Sequence, residues 1–235
     1  MAEEMDQTQV IQQEYNNHGT SWTRNEFFDR NGYIIIKNLC DPKKLFHPVP
    51  ELRGQLNYRS KNLDDFEHIE VEGQVEGSVA RYWHPQYRKI HTKIRLILEQ
   101  AIGRKLYNTY YYDRFYFPGQ ELTIHADRPA CEISVTVHVS TNLEESWPIW
   151  IKTPNTYTDK TKKQLLMRGD ERSVVLQTGD GMIYKGCERP HWRYVMPGTL
   201  ESSLPTNNKE LYYHQIFFHY VLQDGQRAHY AWDKG

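Results

Sequence analysis

The chain has 235 residues, of which 38% are hydrophobic, 25% charged and 13% aromatic, and its net charge is −1. That length suits one large domain with a modest N-terminal extension, and the composition supplies a real core rich in the aromatic residues that favour β-structure. Near-neutral charge makes a nucleic-acid partner unlikely, and no apolar run approaches the roughly 20 residues that cross a bilayer.

Residues 1–22 are Gln-, Asn- and Glu-rich without periodicity, which predicts a flexible N-terminal extension ahead of a single domain over 23–235. The acidic, polar start MAEEMDQTQ has no secretory or transit character. Cys40, Cys131 and Cys187 are too scattered for a disulfide framework or a CxxC metal site, so a reducing cytoplasm is the expected location. Thr23-Arg24-Asn25-Glu26 has the spacing of a capping box before Phe27 and Phe28, and predicts a short helix to about Arg30, stopped by Asn31-Gly32. The β-branched run Gly32–Lys37 reads as a buried strand, and Cys40-Asp41-Pro42 opens a turn with a short helix. Residues 50–84, interrupted by Gly73 and Gly77, read mostly as loop. From Pro85 to Ile102 the residues Tyr87, Ile90, Ile94, Leu98 and Ile102 recur at three- and four-residue steps, an amphipathic helix ended by Gly103.

Beyond that helix the period becomes two. Strands are predicted over Lys105–Phe117, Leu122–His125, Cys131–Ser140, Trp147–Lys152, Ser173–Gln177, Gly181–Tyr184 and Leu211–Leu222. In 131–140 the residues Ile133, Val135, Val137 and Val139 share one face, and Glu132, Ser134, Thr136 and His138 the other. The basic stretch 153–172 and the segment 197–210 read as exposed loops. Helices first and strands after give an α+β, mainly β, class, with helices buttressing one side of a barrel or sandwich.

His125-Ala126-Asp127 directly follows a strand. In extended backbone, residues i and i+2 point to one side, so both side chains can reach one metal. A second, distant histidine would complete a two-His, one-carboxylate face with its opposite side open, a set that suits iron(II) in O2 activation. By itself a His-x-acid triplet is weak evidence. A second one, His68-Ile69-Glu70, has no strand-turn context and reads as solvated loop.

Context separates the two triplets. The stretch Tyr112–Arg128, with Tyr116 nine residues before His125 and the Pro118-Gly119 turn between them, resembles the iron(II)/2-oxoglutarate-dependent oxygenases, in particular the prolyl-hydroxylase-like branch. Thr178-Gly179-Asp180-Gly181 through Pro190-His191-Trp192-Arg193 resembles the turn and strand that carry that family's distal histidine. The resemblance covers 23–48 loosely and 105–222 well. It implies a double-stranded β-helix (jelly-roll) barrel buttressed by N-terminal helices, with iron(II) held by His125, Asp127 and His191. It also implies 2-oxoglutarate and O2 as co-substrates, ascorbate as an optional reductant, and hydroxylation of a substrate with release of succinate and CO2. A peptide or protein side chain is the substrate class it suggests; a small molecule stays open.

In that family a basic residue on the last strand, about ten residues after the distal histidine, pairs with the far carboxylate of 2-oxoglutarate. Here position 201 is Glu201 and the last strand carries no Arg or Lys. Arg193, two residues after His191 and pointing the same way, is the substitute; the bland alternative is a strand cap or a bridge to Asp180. Tyr116, Gln215 and Thr136 are further candidates for the co-substrate, with Gln215, Phe217 and His219 sharing one face of the last strand. Arg128 and Trp192 are candidates for the substrate mouth. The missing basic residue keeps one rival reading open, a cupin-like metal-binding jelly roll, isomerase or sensor, that does not turn over 2-oxoglutarate.

Overall fold

A computed structural model describes residues 23–45, 68–71, 74–155, 158, 161–198 and 211–233. The predicted extension 1–22 and most of the segment 197–210 lie outside the described residues. Helix α1 (Arg24–Asn31) begins at the expected capping box: Thr23 N donates to Glu26 Oε2 at 2.7 Å, and Glu26 N donates to Thr23 Oγ1 at 3.3 Å. It ends at Gly32, whose φ of 81° is the left-handed conformation that terminates helices. Strand β1 (Tyr33–Ile36) follows at once. Helix α2 (Pro85–Ile102) has proline in its first turn and buries Tyr87, His91, Ile94 and Leu98, the stripe its spacing requires.

The remaining strands are β2 (His68–Val71), β3 (Val79–Tyr82), β4 (Leu106–Tyr116), β5 (Leu122–His125), β6 (Ile133–Thr141), β7 (Ile149–Thr153), β8 (Asp170–Val174), β9 (Gly181–Tyr184), β10 (His191–Arg193) and β11 (Tyr213–Leu222). They form two antiparallel sheets, ordered β1-β9-β6-β11-β4-β3-β2 and β5-β10-β7-β8. No described helix is long and apolar enough to cross a membrane.

Alternation along the central strands assigns each residue to a layer. Val135 and Val137 of β6 and Ile216, Phe218 and Tyr220 of β11 join Phe28, Ile94 and Leu98 of the helices in the main apolar core. Their neighbours Ser134, Thr136, Gln215 and His219 turn to the opposite face and are also buried. The large sheet therefore has one apolar face under the helices and one polar face toward the small sheet.

Three expectations change. Residues 50–84 are not all loop: 68–71 and 79–82 pair as β2 and β3 and extend the large sheet beyond β4. The triplet His68-Ile69-Glu70 thus lies in a strand. The stretch 153–172 contains a third helix, α3 (Lys162–Arg168), which inserts the buried Leu165, and β8 starts at Asp170 rather than Ser173 because it pairs with β7 from Thr153 onward. In each case tertiary pairing supplies what weak local patterning did not signal.

A buried polar cluster pins α2 and β3 to β4 and β11. Asp113 accepts from Arg81 Nε at 2.9 Å and from Tyr87 Oη at 3.2 Å, and lies 2.7 Å from His214 Nε2. Burial pushes the Asp113 carboxyl up, but the Arg81 and His214 charges and hydrogen bonds outweigh it and hold it below the usual carboxylate range. Replacing Asp113 by alanine strips Arg81 of its carboxylate inside the fold, so Asp113→Ala is expected to cost about 3–5 kcal/mol in urea denaturation.

His91 of α2 sits against Tyr111, Phe218 and Tyr220, and burial pushes its imidazole down to about 3. The unfolded chain protonates this residue near pH 6.5, before the folded one does, so stability is expected to fall with pH from about 6.5 toward about 3. Each such histidine adds a slope of at most about 1.4 kcal/mol per pH unit. Denaturant midpoints measured across that range should depend less on pH in His91→Gln than in the wild type.

Candidate active site

The pairing of β10 with β5 sets His191 directly opposite His125. Side chains opposed on neighbouring strands project to one side of the sheet, and the two imidazole centroids lie 4.3 Å apart. Asp127 is anchored by its own N–H, which donates to Gly186 O at 2.9 Å. Its Oδ1 lies 3.5 Å from His125 Nε2 and 3.4 Å from His191 Nε2. Ligand atoms of all three residues fall within 4.8 Å of one another.

The rest of each side chain is oriented for this meeting. His125 Nδ1 lies 2.8 Å from Thr123 O, and His191 Nδ1 lies 2.9 Å from Arg189 O. A carbonyl only accepts, so each Nδ1 carries a proton and each Nε2 is the ring atom turned toward Asp127, where a metal would meet it. Ser134 Oγ donates to Asp127 Oδ2 at 2.8 Å. Burial would raise the Asp127 carboxyl, but the charge and hydrogen bonds of the neighbouring histidines, His191 first, outweigh it and hold it well below the usual range, as the carboxylate. Two imidazole Nε2 atoms and a carboxylate on one face are a donor set for iron(II).

The three residues line a cleft between the sheets. Its far wall is the polar face of β4 and β11, with Tyr112, Arg114, Gln215, Phe217 and His219. Burial pushes His219 down to about 4 against the pull of Asp127, so its imidazole is neutral near pH 7.

Other residues singled out in the sequence fall in distinct places. Arg193 is 1% exposed, and its guanidinium lies 4.6 Å from the Trp147 ring centre and 4.8 Å from that of Tyr213. It donates through Nη1 to Trp147 O, while Nε and Nη2 are buried with no hydrogen-bond partner among the described residues. The bridge to Asp180 does not form; Asp180 accepts instead from Lys37 Nζ, Asn38 N and Gln177 N. Gln215 Nε2 donates to Thr136 Oγ1, leaving Gln215 Oε1 buried with no hydrogen-bond partner among the described residues. Tyr116 Oη accepts from Arg114 Nη1 at 2.9 Å. Arg128 ion-pairs with Asp233 at 2.5 Å and covers the Tyr110 ring. Trp192 alternates with His191 and Arg193, so its ring turns away from the cleft and lies against Trp150 at 6.0 Å.

Arg114 and Arg189 were not anticipated. Arg114, 1% exposed, lies across from Gln215 on the neighbouring strand and reaches the cleft that the last strand supplies with no cation. A charge inside the aromatic run 110–117 was the available signal. Arg189 is completely buried and donates to the carbonyls of Asn31 and Arg30, capping α1 one turn of chain before His191.

No protein-family model matches the sequence, and no curated protein matches it. Solved structures do match the fold. EctD from S. alaskensis, with 2-oxoglutarate and 5-hydroxyectoine, has a TM-score of 0.55 at 14% identity over 86% of this chain and 78% of its own. SnoN, a non-heme α-ketoglutarate-dependent epimerase of nogalamycin biosynthesis, has a TM-score of 0.55 at 12% identity over 83% and 79%. A 2OG-Fe(II) oxygenase family oxidoreductase from Burkholderia pseudomallei has a TM-score of 0.53 at 10% identity over 86% and 92%. A Pseudomonas putida prolyl-4-hydroxylase also matches, with a TM-score of 0.49. The chain has the fold of the 2-oxoglutarate–iron(II) oxygenases.

Gly186 is the position on which the carboxylate depends most directly. A Cβ there would run into Asp127 Oδ2 and Cys131 O, and would stand 2.6 Å from Ser134 Oγ. Gly186→Ala is therefore expected to weaken iron(II) binding by about 10–100-fold, the usual effect of disturbing the groups that orient a ligand, as read by anaerobic calorimetry.

Proposed function

We propose that this protein is an iron(II)- and 2-oxoglutarate-dependent dioxygenase that hydroxylates a peptide or protein side chain or a small molecule. The observation that carries this reading is the convergence of His125, Asp127 and His191, with both Nε2 atoms turned to the carboxylate, inside a fold shared with such oxygenases. Iron(II) and 2-oxoglutarate, when bound, supply the oxidising chemistry, in which O2 and the 2-oxo acid convert R–H to R–OH with release of succinate and CO2.

The chain's own residues hold and aim the reactants. Arg193 fits the far carboxylate of 2-oxoglutarate. Two unpaired N–H groups on a buried cation are costly, and an incoming carboxylate would satisfy both. Tyr116 supports the same role: because its oxygen accepts from Arg114, its own hydrogen is left to donate. Gln215 lines the cleft with the metal ligands, and its Nε2 donates to Thr136 Oγ1, which leaves its Oε1 as the acceptor offered to the co-substrate. The two sheets exclude water from the interior, which strengthens each of these contacts.

Succinate release on admitting air to protein, iron(II) and 2-oxoglutarate tests the reading. Wild type should produce succinate without added substrate, slowly, and His125→Ala should not. Arg193→Met should raise the half-saturating 2-oxoglutarate concentration by about tenfold or more, the loss expected for a charge-assisted hydrogen bond. A wild type that binds iron(II) but neither binds nor consumes 2-oxoglutarate would refute the proposal. A larger effect from Arg114→Met than from Arg193→Met would move the carboxylate to Arg114.

A further inference from the structure

We propose that Asp127, Cys131 and His219 form a second metal site, suited to a thiophilic divalent ion such as zinc, which shares Asp127 with the His125–His191 pair. Ligand atoms of these three residues also lie within 4.8 Å of one another. The short 3-10 turn Pro129–Cys131 follows Asp127, and Cys131 N donates to Arg128 O at 2.9 Å. That turn returns Cys131 to the neighbourhood of Asp127, and β11 supplies His219. Cys131 and His219 are 2% and 3% exposed.

The hydrogen bonds around His219 leave an electron pair for a metal. Asp127 Oδ2 accepts from Ser134 Oγ, so the Ser134 oxygen is itself an acceptor toward His219 Nδ1, 3.0 Å away. His219 therefore carries its proton on Nδ1. Its Nε2 keeps a lone pair, and that atom is buried with no hydrogen-bond partner among the described residues. Such an unsatisfied group costs stability unless a cation or donor meets it.

The two oxygens of Asp127 face different neighbours. Oδ1 lies toward His125 and His191, and Oδ2 is linked to His219 Nδ1 through the Ser134 hydroxyl. One carboxylate thus stands between a nitrogen pair and a sulfur–nitrogen pair. Sulfur, imidazole and carboxylate together prefer zinc or cobalt(II) to magnesium or calcium. On binding, the metal–sulfur bond replaces the S–H bond and the thiol proton leaves to solvent. Two divalent ions sharing the single negative charge of Asp127 repel each other at this distance, so occupancy of one site weakens the other. That competition rests on the proposed iron site; the second site itself does not.

Cobalt(II) provides the test, added anaerobically to the metal-free full-length protein without 2-oxoglutarate. A bound thiolate gives a sulfur-to-cobalt charge-transfer band in the near ultraviolet. The band should appear in wild type, persist in His125→Ala, and be lost in both Cys131→Ser and His219→Phe. Iron(II) should diminish it in wild type but not in His125→Ala. Absence of the band from wild type, or its persistence in Cys131→Ser, would overturn the site; a band unmoved by iron(II) in wild type would overturn the shared carboxylate. Near-ultraviolet circular dichroism of the variants separates loss of the ligand from loss of the fold. None of these readings requires turnover, so this proposal and the oxygenase reading fail by different results.

Discussion

The register between β5 and β10 is the constraint on which the site depends. His125 and His191 are separated by 65 intervening residues in sequence but are directly opposed in the sheet. A slip of one residue would turn one imidazole to the far side of its strand and place Trp192 or Ile124 at the centre. The three-residue β10 has little intrinsic means of choosing its register, so its neighbours choose it. It pairs on its other edge with β7, and Arg189 and Gly186 tie down the chain that leads into it.

A second organising feature is the division of labour along β4. Asp113 points to the helix side and closes a buried ion-pair cluster, while Arg114, its neighbour, points into the cleft. Adjacent residues of opposite charge thus serve opposite faces of one sheet. The arrangement buries several charged and polar groups, and burial of such groups is costly unless each is met by a partner. On the helix side, Asp113 meets Arg81, Tyr87 and His214 within the protein. On the cleft side, Gln215 keeps an oxygen with no partner among the described residues, as expected of a wall built to meet something from outside.

Much of this was readable from the chain because strong periodicity carries it. The three-and-four spacing in 85–102, the alternation in 133–139 and the capping box at Thr23 each report a local physical requirement, and each element forms where that requirement lies. His125-Ala126-Asp127 was legible for the same reason, since extended backbone alone puts both side chains on one side. Strands β2 and β3 were not, because they are edge additions whose stability comes from pairing with β4 rather than from their own composition. Arg114 was not legible because it precedes the motif on the strand paired with β11, whereas the cations considered, Arg193 and Arg128, stand beside the ligands in sequence. Trp192 alternates with His191 and Arg193, so its ring lies against Trp150.

Arg189 has a consequence for how the protein assembles. Its guanidinium closes the C-terminal end of helix α1, and its carbonyl orients His191. The first helix of the described fold and the last of the three clustered ligands are therefore joined through one residue, across 158 positions of sequence. Contacts so distant along a chain form late and slowly. The cleft then acquires its third ligand only as the segment around Arg189 docks on α1, and a partly folded chain would present His125 and Asp127 without the partner that completes them. A metal ion that required all three would bind the finished fold and little else, and its release would accompany global rather than local opening.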